Sequence, residues 1–148
     1  MRKRIVVAVV LAVIMAASAY AQTSDFFQLV SNGTAQQVQA AIKNGADVNA
    51  QDKDGKTPLM AAVLNPNAGV IDTLLKAGAN INAQQNDGGT ALMYAAISNP
   101  PEMIATLLNA GTDAKAKDRE GKTALDHAKD NEKLKGTDAY RQLQEASQ

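Results

Sequence analysis

DGKTPLMAA, residues 54–62, occurs in three versions along this chain, the others being DGGTALMYAA at 87–96 and EGKTALDHA at 120–128. The threonines of the three versions, at positions 57, 90 and 123, keep a 33-residue interval, and the glycine two positions before each threonine keeps it too. A fixed period of roughly 20 to 50 residues is typical of stacked-repeat proteins, in which each unit packs only against its neighbours. The pattern therefore predicts a solenoid of repeated units.

Two chemical interpretations of these stretches compete with the repeat. A phosphate-binding loop needs a glycine five residues before the Gly-Lys pair, but Ala50 and Ala116 occupy those positions and no strand rich in Val and Ile precedes them. A calcium loop could begin at Asp-Lys-Asp-Gly, residues 52–55, but its third acidic ligand and its distant glutamate are missing. Both stretches are therefore predicted to be turns, and no cofactor or metal is expected.

The composition gives little support to catalysis or to nucleic-acid binding. The chain has no cysteine and one histidine, His127, and no serine or aspartate is spaced so as to suggest a catalytic triad. We interpret His127 as a partly buried packing residue and predict that the protein is not an enzyme. Basic and acidic side chains number 15 each, and the charged turn residues alternate in sign, whereas a nucleic-acid surface needs clustered positive charge.

Local signals within one 33-residue unit describe two helices. Thr57 can cap a first helix that has Pro58 at its first position, where the missing N–H costs nothing. After a break at residues 65–66, apolar residues at helical spacing predict a second helix from about 69 to 77. Gly78 follows, at the point where helices commonly end in a left-handed residue. These signals predict an all-α fold.

Several sequence elements recur together at this period, in GKTPLMAAVL…VIDTLLKAGANINA and in GGTALMYAAI…MIATLLNAGTDAKA. They resemble the Thr-Pro-Leu-His, double-alanine, Leu-Leu and Gly-Ala-Asp-Val-Asn elements of the ankyrin-repeat family. The resemblance implies antiparallel helix pairs stacked side by side, with β-hairpin-like turns projecting from one edge. Met60, Met93 and Asp126 stand where the family has a partly exposed histidine, so we expect the two methionines to be accessible.

The repeats divide residues 22–148 into two full repeats between two divergent caps. In the first cap Phe26 and Leu29 are predicted to take core positions, while the remaining face is polar. In the last cap Tyr140 and Leu143 are predicted to pack the final helix, with polar residues between them facing water. The four units are predicted at about residues 24–56, 57–89, 90–122 and 123–148.

The N-terminal residues 1–21 have the parts of a secretory signal peptide. Three basic residues precede an apolar run from Ile5 to Ala17, and Ala19 and Ala21 form the small-residue pattern that signal peptidase accepts. The run is shorter than the ~20 residues that span a bilayer. We therefore predict an exported bacterial protein, cleaved after Ala21, that is periplasmic or secreted and has no membrane span after cleavage. The alternative is an uncleaved membrane anchor.

The predicted function is non-catalytic binding of a partner protein by a monomeric domain. An alternative is that the domain is an inhibitor, immunity protein or protective partner of an exported enzyme or toxin. A hydrolase acting on small molecules or peptidoglycan is disfavoured, because no residues suggest the chemistry of its pocket. The sequence does not identify the partner.

The resemblance implies a concave groove lined by the turn tips and the faces of the first helices. Residues there that do not hold the fold are free to recognise a partner, and Arg119, Met60 and Met93 are the expected anchors by residue type. The predicted protein-binding residues are Lys53, Asp54, Lys56, Met60, Asn65, Asn86, Asp87, Met93, Ser98, Arg119, Glu120 and Lys122.

Overall fold

The computed structural model describes residues 22–98 and 101–148, and the predicted signal peptide lies outside them. Within these ranges the chain forms eight helices and no strands, which confirms the predicted all-α class. The helices are α1 (residues 22–32), α2 (Ala35–Lys43), α3 (Pro58–Leu64), α4 (Ala68–Lys76), α5 (Ala91–Ser98), α6 (Pro101–Asn109), α7 (Ala124–Lys129) and α8 (Asp138–Ala146).

Threonine caps begin the first helix of each later unit, as the repeated pattern predicts. Thr57 has an extended backbone, and its Oγ1 accepts a hydrogen bond from Met60 N at 3.4 Å, with Pro58 at the start of α3. Thr90 makes the equivalent bond with Met93 N at 3.3 Å. Thr123 adds a capping box, because Asp126 Oδ2 accepts from its backbone N at 3.0 Å.

The second helix of the first full repeat, α4, begins one residue before the predicted start. Asn67 caps it, with Oδ1 accepting from Gly69 N at 3.1 Å and from Val70 N at 3.3 Å. Gly69 therefore lies in the first turn of the helix. Gly78 follows the end of α4 with φ +88°, which confirms the predicted left-handed position.

The helices pack in two rows that enclose one continuous core. The first helices α3, α5 and α7 pack side by side, and each of them also packs against the second helix of its own unit. Leu74 of α4 and Leu107 of α6 are both fully buried, as their 33-residue offset predicts. At the ends, Phe26 and Leu143 are buried, whereas Leu29 is only partly buried and Val30 beside it enters the core instead.

Met60 and Met93 are buried, so the expectation that they are accessible is wrong. Their exposed fractions are 1% and 2%. The reason lies in the packing of the short helices that carry them, because α3 contacts α5 and α4, and α5 contacts α3, α7 and α6. In α3 every residue from Pro58 to Val63 is buried. The two methionine side chains therefore stabilise the core and do not form surface anchors.

Three turns precede the first helices and project in a row, which we call turn 1 (residues 52–56), turn 2 (85–89) and turn 3 (118–122). Each is closed like a hairpin by a hydrogen bond from its first N–H to its fifth C=O, at 3.0 Å in all three turns. In turns 1 and 3 an aspartate, Asp52 or Asp118, also accepts from two backbone N–H groups of its own turn at 2.9 Å. These bonds confirm the predicted turns.

Backbone hydrogen bonds join the three turns into one continuous surface. Asn86 N donates to Asp54 O at 2.9 Å, and Arg119 N donates to Asp87 O at 2.8 Å. The Asn86 amide also donates to Lys53 O at 3.1 Å. Because each turn is bonded to the one before it, the backbones of neighbouring turns are held at fixed separations.

Candidate functional site

An open groove of about 250 Å³ lies between turns 2 and 3 on the side of the first helices. Its floor includes Met93 and its wall includes Ile97, both from α5. The other lining residues come from the two turns, from α5 and from α7, and are Gln85, Asp87, Gly89, Tyr94, Asp118, Arg119, Glu120 and His127. The groove therefore lies where the turns meet the first helices, in the region that the sequence predicts as the binding face.

Tyr94 of α5 is fixed above the groove floor by two neighbours. Its hydroxyl donates a hydrogen bond to Gln85 Oε1 at 2.6 Å. Lys56 of turn 1 places its Nζ over the aromatic ring, 5.5 Å from the centroid, which is the geometry of a cation–π contact. The ring thus bridges turns 1 and 2 and presents a rigid, amphipathic side chain to the groove.

His127 of α7 pairs with Asp118 of turn 3. The Nε2–Oδ2 distance is 2.7 Å, and the side chains are 20% and 13% exposed. Because an ionised carboxylate only accepts hydrogen bonds, the imidazole Nε2 carries the proton and donates it. His127 is partly buried, as predicted, but the sequence did not indicate its aspartate partner.

The pKa of Asp118 lies below its ordinary value of 3.8. Burial acts to raise this pKa, but it is outweighed by hydrogen bonds from Lys122 N, from His127 and from Glu120 N, which stabilise the charged form. Asp118 is therefore ionised near neutral pH and holds both turn 3 and the imidazole.

Asp87 in turn 2 also has a lowered pKa. The main cause is a hydrogen bond from Gly89 N to its Oδ1, at 2.8 Å, followed by one from the Gln85 amide at 2.6 Å. The Gln85 side chain therefore accepts from Tyr94 and donates to Asp87. This chain of contacts fixes the orientation of the groove wall formed by turn 2.

Ten of the twelve predicted binding residues are at least partly exposed, the exceptions being Met60 and Met93. The turn residues Lys53, Asp54, Lys56, Asn86, Asp87, Arg119, Glu120 and Lys122 lie together along the turn row. Asn65 and Ser98 are exposed at the ends of α3 and α5. Within this set Asp87, Arg119 and Glu120 line the groove itself, together with the buried Met93.

Sequence reasoning missed three residues of this surface. Tyr94 and His127 occupy equivalent repeat positions and contact Gln85 and Asp118, each nine residues earlier, so this shared spacing was a signal that could have been found. Ile97 is 55% exposed although it belongs to a helix that is apolar and otherwise mostly buried, and no sequence signal indicated this exposure.

Metal sites and membrane spans are absent from the part of the chain that the structure describes. No group of three or more His, Cys, Asp or Glu side chains in residues 22–98 and 101–148 could hold a metal ion. None of the helices described there has the length and the apolar character that a membrane span requires.

A family model described as "Ankyrin repeats (3 copies)" matches residues 26–118, which is more than half of the sequence. The chain belongs to the ankyrin-repeat family. A mouse ankyrin protein, "Fibronectin type 3 and ankyrin repeat domains 1 protein" of Mus musculus, is 79% identical to it over 24 residues. Those residues are 16% of this chain and 7% of the mouse protein, so the likeness covers less than one repeat.

Ankyrin repeats are general protein-interaction modules, and theirs is a non-catalytic fold. In this ankyrin chain the groove lies between two of the turns that precede the first helices. Its walls are held by turn-to-turn hydrogen bonds, and its lining combines apolar, aromatic and charged side chains. Surfaces that are ordered before binding lose less entropy when a partner docks.

Proposed function

We propose that the protein is an exported, non-catalytic module that binds a partner protein through the turn row and the first helices. The observation that supports this most strongly is Ile97, which stands 55% exposed at the wall of the groove although α5 otherwise buries most of its residues. Apolar and aromatic side chains at the centre of a polar rim are what protein interfaces use to gain affinity. Here Tyr94 and Ile97 form the centre, and the turn residues form the rim.

Site-specific cross-linking from the folded protein tests this proposal. A photoreactive amino acid placed at position 97 should cross-link a discrete protein in extracts of the native host. The same amino acid at Asp72, an exposed α4 residue with 58% side-chain accessibility, is the matched control and should give no such product. Equal cross-linking from both positions, or cross-linking from position 72 alone, contradicts binding through the groove.

The identity of the cross-linked protein also separates the two functional alternatives. If the partner is an enzyme or a toxin, the purified domain is added in excess to an assay of its activity. Loss of that activity supports an inhibitor or immunity protein, and protection against inactivation supports a protective partner. An unchanged activity supports a simple binding module.

Export is the second part of the proposal and is supported by the basic, apolar and small-residue segments of residues 1–21. Intact-mass measurement of protein from the native host should show a chain that begins at Gln22, allowing for loss of ammonia if the terminal glutamine cyclises. A full-length chain recovered with the membrane fraction would instead support the uncleaved anchor.

A further inference from the structure

We propose that the partner docks in the groove through an extended acidic segment, in which a carboxylate lies beside bulky apolar side chains. The carboxylate would bind between Lys56 and Arg119, and the apolar side chains would cover Ile97 and Leu64. This inference rests on the proposed function, because it specifies the chemistry of the partner that the same groove would hold.

The carboxylates of the groove are already engaged within the domain. Asp87 accepts from Gly89 N and from the Gln85 amide. Asp118 accepts from two backbone N–H groups and pairs with His127. Glu120 lies 2.9 Å from Lys122 Nζ. These three carboxylates therefore have little capacity left to accept hydrogen bonds from basic groups of a partner.

Two cations beside the groove, in contrast, are not engaged by acidic groups of the described residues. Within residues 22–98 and 101–148, Lys56 and Arg119 make no ion pair and no side-chain hydrogen bond. Arg119 is anchored there through its backbone N, which leaves the donors of its guanidinium available. A guanidinium binds a carboxylate through two parallel hydrogen bonds, so Arg119 is suited to receive an acidic side chain.

Lys56 is held near the same site by an aromatic ring. Its Nζ lies 5.5 Å from the Tyr94 centroid, and Tyr94 and Arg119 both line the groove. Tyr94 therefore lies between two cations, Lys56 of turn 1 and Arg119 of turn 3. Neither cation has an acidic partner among the described residues. A carboxylate beside the edge of this ring, where the potential is positive, would be attracted by the ring edge and by the cations on either side.

The exposed apolar side chains of this surface predict the distance between the apolar side chains of the partner segment. The two large hydrophobic side chains that are exposed in the described chain are Leu64, at 38%, and Ile97, at 55%. They occupy equivalent repeat positions near the ends of the successive helices α3 and α5, which pack against each other. Packed helices lie about 8–10 Å apart. Residues i and i+3 of an extended polyproline II segment point to the same side and lie about 9 Å apart, which matches this distance.

Selection from a phage-displayed library of random linear peptides tests the proposed chemistry and does not require an identified partner. The immobilised domain should enrich peptides that carry Asp or Glu close to two bulky apolar residues. Binding of the enriched peptides should fall about tenfold or more in the Lys56→Gln/Arg119→Gln variant, the scale of losing charge-assisted hydrogen bonds. The matched control is Lys43→Gln/Lys76→Gln, which removes two lysines from α2 and α4.

Two results would contradict the inference, and only one of them would also contradict the groove as the binding site. Enriched peptides that are basic or uncharged, but lose binding on Ile97→Ser, contradict the carboxylate and leave the groove as a binding site. If no enriched peptide depends on Ile97, Lys56 or Arg119, both the inference and the proposed groove are wrong. Circular dichroism of each variant verifies that the helices are intact.

Discussion

Turns 2 and 3 share one backbone conformation but differ in what surrounds them. Turn 2 is bonded to turn 1 through Asn86 N and to turn 3 through Asp87 O. A Cβ on Gly88 would lie 2.8 Å from Asp118 Cα, because turn 3 packs directly against it. Turn 3 is supported from one side only within the described chain, and a Cβ on Gly121 would meet no atom within 4 Å. The same turn is therefore internal in one repeat and terminal in the next.

The side-chain pairs that link these two turns to the following helices also differ. Turn 2 holds a neutral pair, Gln85 with Tyr94, whereas turn 3 holds an ionisable pair, Asp118 with His127. Both pairs span nine residues and line the same groove. The comparison shows that the repeat fixes where a side chain stands, while the residue type at that position decides the chemistry. Turn 3 is also held from within by Asp118, which accepts from two backbone N–H groups, whereas turn 2 has Gln85 at that position.

The largest loss of stability is expected at a core position that the two full repeats share. Leu74 and Leu107 are both fully buried at equivalent positions. Replacing either by alanine should lower the free energy of unfolding by about 2–5 kcal/mol, the range for a buried leucine. Urea denaturation followed by circular dichroism measures the loss. Because small domains have only about 5–15 kcal/mol in total, either variant should be close to unfolding. A loss of only about 0.5 kcal/mol, typical of surface positions, would contradict the equivalence.

The next largest loss of stability should differ between the internal turn 2 and the terminal turn 3. Gly88 and Gly121 have φ of +85° and +76°, so alanine at either position is strained by about 1–2 kcal/mol. Gly88→Ala should cost more than this, because its Cβ would also collide with the backbone of turn 3. Gly121→Ala should show the conformational cost alone. Equal losses in urea denaturation would mean that turn 3 moves aside freely.

The smallest effect concerns the ionisable pair. Asp118→Asn keeps an acceptor for turn 3 but removes the charge, and should destabilise the protein by about 1 kcal/mol at neutral pH. The folded-state pKa of Asp118 is below the ordinary 3.8, so its charged form stabilises the fold. This contribution is present above pH 3.8 and is lost as pH falls through the folded-state pKa. The difference between wild type and variant should therefore shrink on acidification.

The control for this pH dependence is Tyr94→Phe, which removes the hydrogen bond of the neutral pair and no acidic group. Its cost should be nearly constant between neutral pH and pH 3. A cost of Asp118→Asn that is equally constant over this range would contradict the lowered pKa.

The sequence predicts the repeat and most of the core because these depend on local, periodic requirements. Gly78 must follow α4 in a left-handed conformation, and Leu74 must face the neighbouring unit, so both are fixed by the 33-residue pattern. The burial of Met60 and Met93 was not predicted, because it depends on how closely the neighbouring first helices approach.

The chemistry of the groove was predicted only in outline. The predicted turn residues are exposed along the turn row, but the pairing of Asp118 with His127 was not predicted, because it spans a turn and a helix start. Such a contact is set by the relative position of two elements rather than by the pattern within either. The exposure of Ile97 has the same origin, since the sequence of α5 is apolar on nearly every side.

The packing of helices against near neighbours also determines how this molecule folds and opens. The principal contacts of α2 to α8 join helices of the same or adjacent units, so the chain has few pairings between distant parts of its sequence. Such low contact order favours rapid folding, and a repeat array can nucleate in any unit and lose structure from its ends. Since His127 of α7 pairs with Asp118 of turn 3 in the groove, fraying of α7 and α8 would release one side of the site while the other units stay folded.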